Sequence, residues 1–210
     1  MADRESIVFV VSGPSGSGKS TLVQKLLELP NMMLSISATT RPPRATENHG
    51  KWYDFVSEAE FERMVREGAF LEHARVFGRH SYGTPKKWLD EARAKNLDLV
   101  LEIDVQGAAQ IRKKVPGAVS IFILPPSRQE LERRIRERGQ DSADEIARRL
   151  RQARLEMESF SLYEFIVVND DLERAGREVQ AIGLGTRCRS RIARPSVERI
   201  LKTFEGESIG

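Results

Sequence analysis

Near the start of the chain, Gly13-Pro14-Ser15-Gly16-Ser17-Gly18-Lys19-Ser20-Thr21 fits the spacing G-x-x-x-x-G-K-[ST]. Glycines at these positions let backbone N–H groups curl around an anion, and a helix beginning there aims its positive dipole end at the same anion. Lys19 is long enough to reach the β- and γ-phosphates, and the Ser20 hydroxyl is placed to meet a Mg²⁺ ion. The chemistry implied is the holding of a nucleoside triphosphate. Other residue types invite a second anion and a metal. Arg41 and Arg44 lie three apart in the proline-stiffened loop 38–50, where two guanidinium forks either bind phosphate or are solvated loop charges. Asp104 ends an apolar run, as either a Mg²⁺-organising carboxylate or the cap of the next helix.

The elements that must position these groups are legible from periodicity. Ile7–Val11 is an apolar, β-branched strand candidate, and Leu22, Val23, Leu26 and Leu27 have helical spacing. Strand, glycine loop and helix is the context that gives the first motif its meaning. Further buried strands are expected near 99–103, 119–124 and 165–168, alternating with helices, so the sheet is expected to be parallel and doubly wound. Between the first two repeats, residues 35–87 read as a small, mostly extended inserted lobe with a short strand at 34–37. It contains one helix, begun by Ser57 as N-cap with Glu60 three residues on, and is followed by a helix to 96. The core is then 6–34 and 97–182. Within it, residues 127–154 carry nine arginines and six acids around a Gly139-Gln140-Asp141-Ser142 break, the build expected of a mobile helical lid. A last helix is expected at 172–182, and 183–210 as a polar C-terminal tail.

Charge and composition exclude several classes. The net charge is +3, and residues 183–210 hold six Lys or Arg against three acids, so the remainder is neutral. A broad basic face for nucleic acid is not expected. No apolar run nears 18 residues and the N-terminus lacks a signal-peptide core, so no membrane association is expected. A single cysteine, Cys188, gives no intrachain disulfide and suits a reducing, cytoplasmic setting. His49, His73 and His80 have no zinc or triad spacing, and surface or loop roles are expected for them. Monomer and homo-oligomer both stay open.

Taken together, these residues resemble the guanylate kinase family over about 6–182. The resemblance rests on separate blocks: Ser12–Thr21, Ser35–Arg44, Phe70–Ala74, Tyr82–Thr84, Ile103–Gly107, Ile123–Ser127 and Val168–Leu172. It implies a P-loop nucleoside-monophosphate-kinase-like α/β fold, with the 35–87 lobe binding GMP, and phosphoryl transfer from ATP to GMP (and dGMP) assisted by Mg²⁺. By that resemblance Ser37, Arg41, Arg44, Tyr53, Glu72, Tyr82, Thr84 and Asp104 bind GMP. The loop from Gly13 to Thr21 binds ATP, with Asn169 near its base. Ser20 and Asp104 serve Mg²⁺, directly or through water. Lys19, Arg41, Arg134, Arg138 and Arg149 serve the transfer, the last three facing the phosphate from the lid and the helix after it. Guanine chemistry agrees: its N1–H and N2–H₂ are adjacent donors for a carboxylate such as Glu72, and adenine has none there. Two positions depart from the family pattern. Glu102 stands where an aspartate is usual, and the turn 78–83 is one residue longer, with Tyr82 taken as its functional tyrosine. Two other readings compete: a catalytically dead protein-interaction scaffold, opposed by the intact phosphate loop, and a kinase for another phosphorylated acceptor, opposed by Glu72 and Ser37.

Overall fold

The run at residues 7–11 becomes β1 (Val8–Ser12), buried at every position, in the middle of a five-stranded sheet. The structure is a computed structural model and describes residues 5–43, 53–76, 79–137 and 142–204. On one side β1 pairs with β7 (Asp98–Glu102), which pairs in turn with β2 (Met32–Leu34). On the other it pairs with β8 (Val119–Leu124), which pairs with β9 (Phe165–Val168). Every pairing is parallel, which is why β1, β7 and β8 read as continuous apolar runs with helices covering both faces. Leu22, Val23 and Leu26 of α1 (Lys19–Leu27) bury one face of the sheet together with Val179 of α7 (Leu172–Arg187). The other face is covered by Leu89 and Ala92 of α3 (Lys87–Ala94) and by Ala108 and Ile111 of α4 (Val105–Lys114).

A second sheet is made within residues 37–85. Its order is β4 (Tyr53–Phe55), β3 (Ser37–Thr39), β6 (His80–Pro85), β5 (Phe70–Val76). The helix α2 (Glu58–Arg66) packs on it with its own small core, in which Phe61 and Phe70 stack at 4.8 Å. The expected cap is present: Ser57 Oγ accepts the Glu60 N–H at 3.1 Å. The single strand expected at 34–37 is instead two. Leu34 ends β2 in the central sheet and Ser37 begins β3 in the second one, so Ser35 and Ile36 are the crossing between them. β2 itself escaped the periodicity because it is only three residues long.

The lid segment gives α5 (Arg128–Glu137) and α6 (Ala143–Met157), each begun by a serine whose Oγ accepts a backbone N–H three residues on. Residues 183–210 are not a solvated tail where they are described. α7 runs five residues past the expected end to Arg187, and α8 (Ser190–Lys202) follows. Ile192 of α8 is buried in the central core, and Arg191 Nη2 donates to Gly117 O at 3.1 Å. Arg187 explains the longer α7. Its Nε meets Asp98 Oδ2 at 2.8 Å and its Nη2 meets Pro30 O at 2.7 Å, while Asp98, 0% exposed, also accepts the Ile7 N–H. A burial pattern alone does not announce such a pair, because its partners are 89 residues apart.

Candidate functional site

The phosphate loop joins β1 to α1. Gly18 is the N-cap of α1 with φ 92°, and a Cβ there would stand 2.1 Å from Asn169 Nδ2, so only glycine fits. The loop is held from outside: Asn169 Nδ2 and Arg134 Nη1 both donate to Ser17 O, at 2.9 and 3.3 Å. Lys19 Nζ donates to Gly13 O at 2.7 Å and Pro14 O at 3.1 Å. Carbonyls thus hold the ammonium inside the loop, at the place where an anion's oxygens can take over those bonds.

The β7 end faces Ser20. Glu102 Oε1 accepts the Ser20 hydroxyl at 2.7 Å, a contact the sequence reading did not foresee. Two residues on, Asp104 is the N-cap of α4, its Oδ1 accepting the Gly107 N–H at 2.8 Å. The capping reading of Asp104 therefore holds, and among the described residues Oδ2 has a 3.4 Å contact from Gln106 Nε2. Burial raises the Asp104 carboxyl above its usual range, against backbone N–H bonds and the pull of Lys19. No group of three or more His, Cys, Asp or Glu side chains forms a metal cluster among the described residues. Mg²⁺ needs no such cage. One or two carboxylates plus substrate phosphates suffice, so the hydroxyl–carboxylate pair Ser20–Glu102 beside Asp104 suits it.

Across Asp104 from the loop lies a buried polar chain on the second sheet. Ser37 Oγ is 3.4 Å from Thr84 Oγ1, and Thr84 Oγ1 donates to Glu72 Oε1 at 2.7 Å. The register brings them together: Glu72 of β5 lies opposite Thr84 of β6. Glu72 is 3% exposed, and its carboxyl is pushed up to about 7. Burial is the main cause; the Thr84 bond opposes it and the neighbouring Asp104 charge adds to it. At the mouth of the same sheet, Arg41 Nε donates to Tyr82 Oη at 3.1 Å, and its guanidinium lies 5.5 Å from the Tyr53 ring centre. Tyr53 and Tyr82 meet edge to face at 5.7 Å. Ser37, Tyr53, Glu72, Tyr82 and Thr84 thus share one sheet, Arg41 lies two residues past its β3 and bonds Tyr82, and the Asp104 charge acts on Glu72, whereas Arg44 falls outside the described residues.

On the lid side, Arg149 Nη2 donates to Ser15 Oγ at 2.7 Å. Arg134 differs from expectation. Its nitrogens go to Glu130 Oε1, Ser17 O and Asn169 O, so it braces the loop's outer side rather than facing a transferring phosphate. Arg138 lies outside the described residues. Beside Arg134 a groove of about 460 Å³ runs past Gly18, Thr21, Asn169 and Leu172, a size that admits a nucleoside. Asn169 borders it, but its amide nitrogen is already committed to Ser17 O. A buried acid, Glu156 of α6, was missed entirely. Its signal was present: it lies seven residues after Arg149, on the same helix face.

Comparison with known proteins agrees with this geometry. The guanylate kinase family model matches residues 5–183. The guanylate kinase of Caldanaerobacter subterraneus is 48% identical over 187 residues, 89% of this chain and 90% of that protein. That of Escherichia coli K12 is 48% identical over 181 residues, 85% and 87% of the two chains. The crystal structure of guanylate kinase from Anaplasma phagocytophilum superposes with a TM-score of 0.77 at 35% identity, covering 91% of this chain and 92% of that one.

Proposed function

Because the chain belongs to the guanylate kinase family and transfers a phosphoryl group from ATP to GMP, we propose how its own residues divide that work. The carrying observation is the position of Asp104, whose charge is felt both by Glu72 on the second sheet and by Lys19 in the phosphate loop. Donor and acceptor sites meet there. The lobe 35–87 is the GMP domain, and core segments 6–34 and 97–182 with the lid 127–154 are the ATP side.

Glu72 accepts from guanine N1–H and N2–H₂, with Ser37 and Thr84 fixing its carboxylate and Asp104 bordering the base. Arg41, with the Tyr53 and Tyr82 hydroxyls and Arg44, holds the GMP phosphate so that one oxygen lies in line with the γ-phosphorus. Gly13 to Thr21 bind the triphosphate through backbone N–H groups, and Lys19 exchanges the Gly13 and Pro14 carbonyls for phosphate oxygens. Arg149 leaves Ser15 Oγ for the transferring group, joined by Arg138, and these cations offset the charge that spreads over its oxygens. Arg134 and Asn169 shape the groove for the ATP nucleoside. Ser20, with Asp104 and Glu102, would hold Mg²⁺, which would offset negative charge on the phosphates. No side chain needs to act as a general base. The same reading extends the acceptors to dGMP and places the enzyme in the cytoplasm, where both substrates occur.

The test is ADP release with ATP against GMP, dGMP, AMP, CMP and UMP, for the parent and for Glu72→Ala. Turnover confined to the guanine nucleotides, with Glu72→Ala raising KM for GMP and leaving ATP affinity unchanged, is the expected result. Unchanged GMP kinetics in that variant would overturn the base assignment.

A further inference from the structure

Glu72 stands opposite Thr84 because the ladder between β5 and β6 slips by a residue. Phe70 pairs with Pro85, so an unbroken antiparallel register would set Leu71 against Thr84. Instead the register shifts between Phe70 and Glu72, and the acid takes that place. A bulge of this kind leaves one residue without a ladder partner and re-aims the side chain beside it. The extra residue, Leu71, is held by α4 from outside the sheet. Its side chain is buried in the same core cluster as Ala108 and Ile111, and Lys114 Nζ donates to its carbonyl at 2.8 Å.

β5 is the last strand of its sheet, and α4 occupies the position of a further neighbour. Gln110 Nε2 donates to His73 O at 2.7 Å, and Gln110 Oε1 accepts the His73 N–H at 3.3 Å. One side-chain amide thus copies the exchanged pair of bonds that an antiparallel strand would make. Gly107, Gln110 and Lys114 follow one another at steps of three and four, which sets them on one helix face. At Gly107 a Cβ would stand 2.4 Å from Glu72 Oε2, so the carboxyl lies against the helix backbone itself.

We propose that Gln110 and Lys114 are positioning residues for recognition of the acceptor base: they grip the backbone on both sides of Glu72, hold the bulge in place and so fix its carboxylate where guanine meets it. This rests on the assignment of Glu72 to guanine N1–H and N2–H₂. It adds that the placement of that carboxylate is set by a helix of the ATP-side core rather than by the GMP lobe alone. Neither side chain touches substrate.

Gln110→Met keeps the side-chain length and removes both bonds. Lys114→Met removes the donor to Leu71 O, and Lys114→Arg supplies one again. KM for GMP should rise about 5- to 20-fold in Gln110→Met, the scale of one or two lost hydrogen bonds. In the same variant kcat and the ATP affinity measured by titration should stay within about twofold of the parent. Lys114→Met should show a smaller rise, returned to within about twofold by Lys114→Arg. Inosine monophosphate keeps the N1–H and lacks the N2 amine, so a displaced carboxylate should cut the preference for GMP over it by about threefold or more. A loss of stability alone would leave that ratio unchanged. In a Glu72→Ala background Gln110→Met should add less than about twofold to KM for GMP, because the group it positions is gone. Amide exchange at His73 in nucleotide-free protein, faster in Gln110→Met, reads the clamp independently of any base assignment. Should Gln110→Met fail to fold, the exposed Lys114 pair carries the test. Parent KM and parent GMP preference in a folded Gln110→Met, or an undiminished effect of it in the Glu72→Ala background, overturns the positioning role. Parent GMP kinetics in Glu72→Ala overturns the base assignment and this proposal together.

Discussion

Glu72 sits where a base-reading carboxylate is needed, and the protein loses stability by keeping it there. Its folded pKa of about 7 against an ordinary 4.5 means the native state binds that proton more tightly than the unfolded chain. The stabilisation from this proton is therefore complete below pH 4.5 and is lost as pH rises through 7. A span of two to three pH units corresponds to about 3 kcal/mol. Glu72→Gln removes the titration while keeping an oxygen for the Thr84 hydroxyl. Any cost of burying the new amide does not vary with pH, so it drops out of a comparison between two pH values. Urea unfolding of both proteins at pH 5, 6, 7 and 8 should show the variant gaining on the parent by about 2–3 kcal/mol across the range, with part of the gain coming through the relieved Asp104. GMP use should fall in the same variant. The amide presents N–H groups to guanine donors, and an unpaired buried donor of about 1–3 kcal/mol raises KM for GMP roughly 5- to 150-fold. Parallel stability–pH curves for the two proteins would refute the reasoning, because the native carboxyl would then not be the perturbed group.

In the parent, GMP binding should weaken below pH 7 as Glu72 takes up its proton, by about tenfold per unit beyond the share due to the nucleotide's own phosphate; the KM of Glu72→Gln against pH supplies that share. Gly18→Ala drives a methyl towards Asn169 Nδ2 and places a side chain at φ 92°. It should cost about 1–3 kcal/mol in thermal unfolding and reduce ATP affinity measured by titration. Arg187→Met removes the guanidinium that meets the fully buried Asp98 carboxylate at 2.8 Å. A loss of about 3–5 kcal/mol in urea unfolding is expected, and Asp98→Asn in the same chain should restore part of it.

Much of the site was legible because its chemistry is local in sequence. The glycine–lysine–serine loop, the Ser57 cap and the apolar runs of β1, β7 and β8 each carry their signal within ten residues. The missed features depend on distant partners. Glu102 gains its meaning only where β7 lies beside β1 and meets Ser20. Arg187 needs Asp98 across the sheet to make residues past 182 helical, and the buried Ile192 is what docks α8. The resemblance implies a phosphate-facing role for Arg134, whereas in the structure its guanidinium is turned to Ser17 O and Asn169 O, which no helical pattern encodes. The Leu34–Ser37 strand failed for a different reason: alternation cannot reveal that consecutive residues enter different sheets.

The central place of β1 has a consequence for how the protein is made. Val8 is paired with Leu99 and Phe9 with Val119, so the strand that launches the phosphate loop has partners 91 and 110 residues downstream. At about 5–20 residues per second the ribosome takes several seconds or more to deliver them. During that time an apolar, β-branched segment waits unpaired, and nucleotide cannot help because the loop has no frame to rest on. Slow folding is then set by topology, and the phosphate loop becomes functional only after strands about 90 and 110 residues downstream of β1 exist.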